Sequence, residues 1–335
     1  MGTASMRRGV LVRQTSEVIG YKAGLALTRK EFDDIMPKQY KEIWQGQDDE
    51  YLRIRAEVFD GLIAHLLYEV GNTSSPDMLP HVSLSRKYIN TPQLPLYSEI
   101  KREWTKYLSN WIKQNKNNNN KIIDPVPYVK EIIDKHGTTG YHIAMEIIEA
   151  MSKQQHISPF SGVRIVDWKD TAELAALFKS RSLETQYGTF FDQRYIDFLS
   201  QQFERIGDIH WRKFEALTCE FFERHGYYVE IGPGSDDGGI DARAWLKDPA
   251  SDAPPAILIQ CKRRKEMVDS GVVKALYADV LHEKADRGLI VTTRSLSPSA
   301  NEVRLARGYP IDQADRSTLK KWIEVMRTPG TGIFM

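Results

Sequence analysis

A chain of 335 residues, 41% hydrophobic and 27% charged, has the composition of a globular protein and the length of about two domains of ~150 residues. Its two cysteines, Cys219 and Cys261, exclude a disulfide framework and a four-cysteine zinc site, and no apolar run approaches the ~18 residues of a membrane span. A net charge of +1 excludes a surface that is basic throughout, so any contact with nucleic acid must be local; Arg263-Arg264-Lys265, next to Lys262, is the densest basic run.

The start, Met1 to Arg8, carries two arginines but too short an apolar run for a secretory signal, and Met6 stands where a myristoylation signal has Ser or Thr. A cytoplasmic protein with no membrane partner is expected. Tyr51 to Val70 places Leu52, Ile54, Val58, Leu62, Ile63, Leu66 and Leu67 at near-helical spacing. Gly71 to Pro76 reads as a loop, as does the polar run Lys116 to Lys121. Between these breakers, Ser98 to Ile112, Val129 to Ile133 and Tyr141 to Met151, with Gly140 ahead of it, read as helices. Residues 1–200 are therefore expected to form a mostly helical domain that serves recognition, regulation or oligomerisation.

The pattern changes near Ile206. Asp208 can cap a helix on which Trp211, Phe214, Leu217, Thr218, Phe221 and Phe222 share a face, and Gly226 ends it. Tyr227 to Ile231 reads as a strand and Gly232 to Gly239 as a turn. A second strand, Ile240 to Leu246, sets Ile240, Ala242, Ala244 and Leu246 on one face and Asp241, Arg243 and Trp245 on the other. Lys247 to Pro255 is a loop, and Ala256 to Lys262 a third strand with a buried Ile257-Leu258-Ile259. A helix over Val272 to Glu283 leads to a fourth strand, Gly288 to Thr293. Ser297 and Pro298 then open a helix, and a short strand near Tyr309-Pro310-Ile311 and a helix from about Ser317 follow. Three strands in a meander and a fourth arriving through a helical crossover make an α/β sandwich over residues 201–335.

Gln260 and Lys262, two apart at the end of the third strand, share one face, and Cys261 points to the other. If the second and third strands pair, the carboxylate of Asp241, a carboxamide and an ammonium converge, with Glu215 within reach on the preceding helix. Phosphodiester cleavage uses such groups. Carboxylate and neutral oxygens hold Mg²⁺, the metal acidifies water and polarises the phosphate, and a lysine offsets transition-state charge. The glycines of Asp237-Gly238-Gly239-Ile240-Asp241 leave room for a phosphate to approach the backbone. Gly232-x-Gly234 looks like the start of a dinucleotide fingerprint, but a strand follows it where a helix is required, which argues against a nucleotide cofactor.

The series Phe214-Glu215, Gly226-Tyr227, Asp237-Gly238-Gly239-Ile240-Asp241, Gln260-Cys261-Lys262-Arg263 and Val291-Thr292-Thr293 resembles the Mrr-like restriction endonucleases of the PD-(D/E)xK superfamily, over about residues 206 to 320. The resemblance implies a restriction-endonuclease-like α/β sandwich, preceded here by the mostly α-helical N-terminal domain. It implies a metal-dependent DNA endonuclease of restriction or anti-phage defence, with Mg²⁺ (or Mn²⁺) as cofactor. By this resemblance Asp241 is the central metal ligand, Gln260 stands where most of the superfamily has Glu or Asp, and Lys262 is the catalytic lysine. Glu215 matches the helix-one glutamate, and the backbone carbonyl of Cys261 is a further candidate ligand. Gln at position 260 removes a negative charge from the site.

Blander readings stand beside these. Asp237 is explained by turn chemistry alone. Glu215 is alternatively a surface residue. Arg263, Arg264 and Lys265 are either a solvated run or, with Gly238 and Gly239, a contact for DNA phosphates. Cys261 reads as a small buried hydrophobe, and His225 and His282 as structural. The alternative function is a nucleic-acid-binding or sensor protein without cleavage. Cutting both strands needs two active sites, so a homodimer or higher homo-oligomer on DNA is expected.

Overall fold

The computed structural model describes residues 2–114, 123–234, 239–247, 249, 253–263 and 266–327. The loop expected at Lys116 to Lys121 lies outside them, as do Asp237, Gly238, Arg264 and Lys265.

The first two hundred residues are mostly helical, as their pattern predicts. The elements are β1 (Thr3–Arg7), α1 (Arg8–Ala23), β2 (Leu25–Ala26), α2 (Arg29–Ile35), α3 (Lys41–Trp44), β3 (Tyr51–Arg55), α4 (Ala56–Glu69), α5 (Pro80–Tyr88), α6 (Leu94–Gln114), α7 (Val126–Ile157), β4 (Ala172–Glu173), α8 (Leu174–Lys179) and α9 (Gln193–Gln201). Here the structure corrects two readings. Tyr51 to Arg55 is not the first part of a helix but a strand, paired antiparallel with β1, and only Ala56 onward is helical. Leu52 and Ile54 fit a helical stripe and a strand alternation equally well, and pairing with a segment over forty residues upstream selects the strand. The two expected helices on either side of Gly140 are one long α7, broken by non-helical backbone at Gly137 (φ 61°, ψ −152°). Gly140 lies buried within the helix.

The remaining elements are α10 (Trp211–Arg224), β5 (Tyr228–Ile231), β6 (Ala242–Trp245), β7 (Ile257–Lys262), α11 (Ser270–Glu283), β8 (Arg287–Thr292), α12 (Pro298–Ala306), β9 (Ile311–Ala314) and α13 (Arg316–Met326). The strands form one sheet in the order β5-β6-β7-β8-β9. The first three pair antiparallel and the last two join in parallel, so the meander and the helical crossover are both present. One face, with Ala242, Ala244, Ile257, Ile259, Leu289 and Val291, packs with Phe214 and Leu217 of α10 and with Leu319 and Ile323 of α13. The other, with Leu258 and Ile290, packs with Val273 and Leu276 of α11 and Ala300 of α12. This is the expected α/β sandwich. Among the described residues no helix is long and apolar enough to cross a membrane.

Local signals set most boundaries. Ser297 Oγ accepts from Ala300 N (3.2 Å) and caps α12, with Pro298 in its first turn. Gly226 leaves α10 at φ +84°. The start of α10 differs: His210, not Asp208, is the cap, and its Nδ1 accepts from Arg212 N. Ile240 also departs from its expected face. It joins Leu258 and Ile290, because the strand alternation begins only at Ala242.

The first half of the chain is not separate from the sheet. One core cluster runs from Leu11 and Leu62 through Phe198 to Leu217 and Ile259. At its edge Gly71 (φ +78°) lies so close to α9 that a Cβ would stand 1.8 Å from the Asp197 carbonyl oxygen. Asp197 is buried there, and its Oδ1 accepts from Gln193 Nε2 at 2.9 Å. Burial raises its carboxyl to about 7, against the opposing pull of that bond and of Arg327 and Arg224. The folded form therefore binds the proton more tightly than the unfolded chain. Stability from this group is greatest at low pH and is lost as pH rises from about 4 through about 7. Asp197→Asn should raise the thermal midpoint at pH 8 by about 2 to 5 °C. The gain should vanish toward pH 4, as followed by circular dichroism melts across that range.

Candidate active site

Asp241 sits where the glycine-rich turn enters β6. Its backbone N donates to Ile259 O at 2.9 Å, and its Oδ2 accepts from Cys261 N at 2.6 Å. The two bonds grip Asp241 on either side of Gln260. Gly239 takes φ +98°, and a Cβ there would approach Gln260 Nε2 to 2.9 Å, so the turn needs a glycine to lie against the carboxamide. Gln260 is 6% exposed, and its Oε1 is buried with no hydrogen-bond partner among the described residues. A buried acceptor without a donor is rare in a folded protein and calls for an explanation.

Glu215 projects from α10 and is 5% exposed, so it is not a surface glutamate. Its carboxyl is pushed up to about 7, first by burial and then by the negative charge of Asp241, with which it interacts directly; Arg212 pulls the other way. Arg212 was not singled out by the sequence. It lies one turn before Glu215, gives Nη1 to Glu215 Oε2 at 2.8 Å and gives Nη2 to Gly232 O at 2.6 Å. The guanidinium also lies against Gly234, where a Cβ would meet Nη1 at 3.0 Å. One buried cation thus ties the helix carboxylate to the turn that leads into Asp241. The sequence holds only a weak sign of this, an arginine three residues ahead of a glutamate on an apolar-facing helix.

Lys262 ends β7 on the face of Gln260, and Thr292 Oγ1 donates to its carbonyl at 2.9 Å. Cys261 faces the other way, with Sγ 3.6 Å from Thr218 Oγ1 of α10. Burial holds its thiol well above the ordinary range, which makes it a packing group rather than a nucleophile. Arg263 turns back on the protein, and its Nη1 donates to Gly207 O at 2.8 Å. His225 Nδ1 donates to Phe221 O (2.7 Å), and its ring lies tilted over the Phe221 ring at 4.1 Å between centroids. The structure therefore brings Glu215 against Asp241, adds Arg212, and puts Gln260 and Lys262 on β7 on either side of Cys261, whose backbone N holds the Asp241 carboxylate.

Among the described residues, one further group has metal-type ligands within 4.8 Å of one another: Glu99, Glu103 and His136. It lies on α6 and α7, and Lys135 Nζ already stands 3.1 Å from Glu103 Oε1.

Residues 206–323 match the Mrr catalytic-domain family, described as restriction endonuclease. This part of the chain is a restriction-endonuclease domain of the Mrr type. Its limits contain the whole sheet, α10 and the residues around Asp241. The uncharacterized protein y4cE of Sinorhizobium fredii (strain NBRC 101917 / NGR234) is 30% identical over 99 residues, which are 30% of this chain and 25% of that protein. A solved structure, the MspJI restriction endonuclease in complex with a 27-mer oligonucleotide, is similar at 19% identity with a TM-score of 0.30. That match covers 56% of this chain and 42% of the MspJI chain. The chain thus spans a quarter of the curated relative and under half of the solved one.

Within the restriction-endonuclease domain, Arg212→Ala leaves the Glu215 carboxylate buried without its cation. Loss of one partner of a buried pair costs about 3 kcal/mol or more when the other stays charged. Glu215 escapes by taking a proton, so the loss in urea unfolding should be largest at pH 8.5 and much smaller at pH 5.5. An equal loss at both values would show that the pair does not act through charge.

Proposed function

We propose that this protein is a metal-dependent endodeoxyribonuclease that hydrolyses DNA phosphodiester bonds in the cytoplasm, in restriction or anti-phage defence. The observation that carries the reading is the Oε1 of Gln260, buried and without a hydrogen-bond partner among the described residues, one residue from the backbone N that holds the Asp241 carboxylate. An oxygen acceptor without a donor, next to a carboxylate, fits a hard cation that takes oxygen ligands. Asp241, Gln260 Oε1, the carbonyl of Cys261 and Glu215 would hold Mg²⁺ or Mn²⁺. When bound, the ion supplies Lewis acidity to the scissile phosphate and acidifies water.

The chain's own groups do the rest. Lys262 orients the attacking water and offsets the charge that grows on the phosphorus oxygens. Arg212 keeps Glu215 and the Gly232 carbonyl in place, so that the ligand set does not have to assemble on binding. Gly238 and Gly239 let the DNA backbone come close. Arg263, Arg264 and Lys265 neutralise neighbouring phosphates. Arg263 does so with the part of its fork not bound to Gly207. The neutral carboxamide at position 260 makes the metal site weaker than a two-carboxylate one. Residues 1–200 form the recognition or regulatory unit, residues 201–335 the cutting unit, and two copies supply the two cuts of a duplex.

Wild-type protein should nick supercoiled plasmid with Mg²⁺ or Mn²⁺ and not with EDTA. Asp241→Ala and Lys262→Ala should each lower the rate by at least about 100-fold. Asp241→Ala should also abolish Mn²⁺ binding in isothermal titration calorimetry, whereas Lys262→Ala should keep it. Wild type that cuts nothing with either metal, or variants that cut equally well, would overturn the enzyme reading in favour of a binding or sensor protein.

A further inference from the structure

The β1–β3 pair is a two-stranded antiparallel ribbon with two unlike faces. The register sets Thr3 opposite Arg55, Ser5 opposite Arg53 and Arg7 opposite Tyr51. Directly opposed residues lie on the same side of a sheet, so these six share one face. All six are exposed, Tyr51 to 69%. On the other face Ile54 is buried, and Met6 and Leu52 pack against the main core cluster. The ribbon is thereby fixed to the body and cannot turn its polar face inward.

The outer face carries Arg7, Arg53 and Arg55 and no acidic residue. The arginine side chains have no hydrogen-bond or ion-pair partner among the described residues, and the Arg7 guanidinium rests 5.5 Å from the centroid of the Tyr51 ring. Two of the acids at the Tyr51 end are already engaged, Glu50 with Arg8 and Asp48 with Arg29, which leaves Asp49 as the nearest other carboxylate in sequence. Three guanidinium groups with hydroxyls and a phenol are well suited to duplex DNA: arginine forks match phosphate oxygens and base edges, and hydroxyls supply further donors. Size agrees as well. The major groove, about 12 Å wide, admits a two-stranded ribbon, and five residues at about 3.4 Å each span roughly five base pairs.

We propose that the outer face of the β1–β3 ribbon is a DNA-contacting surface of the N-terminal region, which enters the major groove of duplex DNA through Arg7, Arg53 and Arg55. The proposal rests on the reading of DNA as the partner but adds a second contact, carried by residues remote in sequence from the Asp241 centre. It also gives the helical half of the chain a task, to hold the duplex apart from where it is cut. A net charge near zero is compatible with this, because the positive charge is concentrated on one narrow ribbon.

The test uses full-length protein, a short fluorescein-labelled duplex, Ca²⁺ in place of Mg²⁺, and fluorescence anisotropy between about 50 and 200 mM salt. The triple variant Arg7→Gln, Arg53→Gln, Arg55→Gln should bind about 10- to 1000-fold more weakly. The slope of log affinity against log salt should become shallower by about 2 to 3, near one for each phosphate that the variant no longer neutralises. The matching triple Lys variant should keep most of that slope. With Mg²⁺, the Gln variant should nick plasmid at the wild-type rate once DNA is saturating, with only the half-saturating concentration raised. Circular dichroism checks that both variants fold. A folded Gln variant with wild-type affinity and slope would overturn the ribbon contact and leave the nuclease reading intact. Wild type that binds no duplex would overturn both. Tighter binding of an A-form RNA duplex, whose deep, narrow major groove excludes a ribbon, would overturn the assignment to DNA.

Discussion

Two hydrogen bonds hold Asp241 to β7 on either side of Gln260, one from its backbone N to Ile259 O and one from Cys261 N to its carboxylate. The second joins a backbone donor to a charged acceptor, the stronger kind of hydrogen bond, and it fixes the side chain as well as the strand. Everything proposed for the site depends on that pairing. Slipping β7 by one residue would turn Gln260 and Lys262 onto the α10 face and bring Cys261 out beside Asp241. The apolar Ile257-Leu258-Ile259 opposes the slip, because Leu258 belongs to the α11 core and Ile257 and Ile259 to the α10 core.

Helix α10 passes that constraint to the rest of the molecule. Toward the sheet it presents Phe214 and Leu217, the Thr218 hydroxyl beside Cys261, and Glu215 against Asp241. On its far side Glu220 Oε2 accepts from the backbone N of Thr189, Phe190 and Phe191, at 2.9, 2.7 and 3.1 Å. The helix is thus buried on both sides, with one carboxylate serving the site and another anchoring the segment before α9. The segment before α9 is therefore tied directly to the helix that carries Glu215.

Much of the second half of the chain was legible because its signals are local. Short continuous apolar runs mark β7 and β8, Ser297-Pro298 marks the start of α12, and Gly226 marks the end of α10. The features that the pattern misplaces involve partners distant in sequence. The helical stripe at Tyr51 to Val70 includes Leu52 and Ile54, and only β1, far upstream, makes them a strand. The apolar face of α10 leaves its opposite side open in the pattern, and only the fold covers part of it, through the bonds of Thr189, Phe190 and Phe191 to Glu220. Arg212 carries no motif of its own, and only the packing of α10 on the sheet brings it to Gly232 O.

The sequence by itself determined the chemical groups at the candidate site, their order along the chain and the alternation of faces along β7. Backbone periodicity and capping need no distant partner, so these can be read from neighbours alone. Tertiary structure alone decided that Glu215 meets Asp241 and rises to about 7, that Gln260 Oε1 has no donor among the described residues, and that three arginines gather on one face of a ribbon. Burial and charge proximity depend on how helix and sheet pack and on which strands pair, and no local pattern in the chain encodes either.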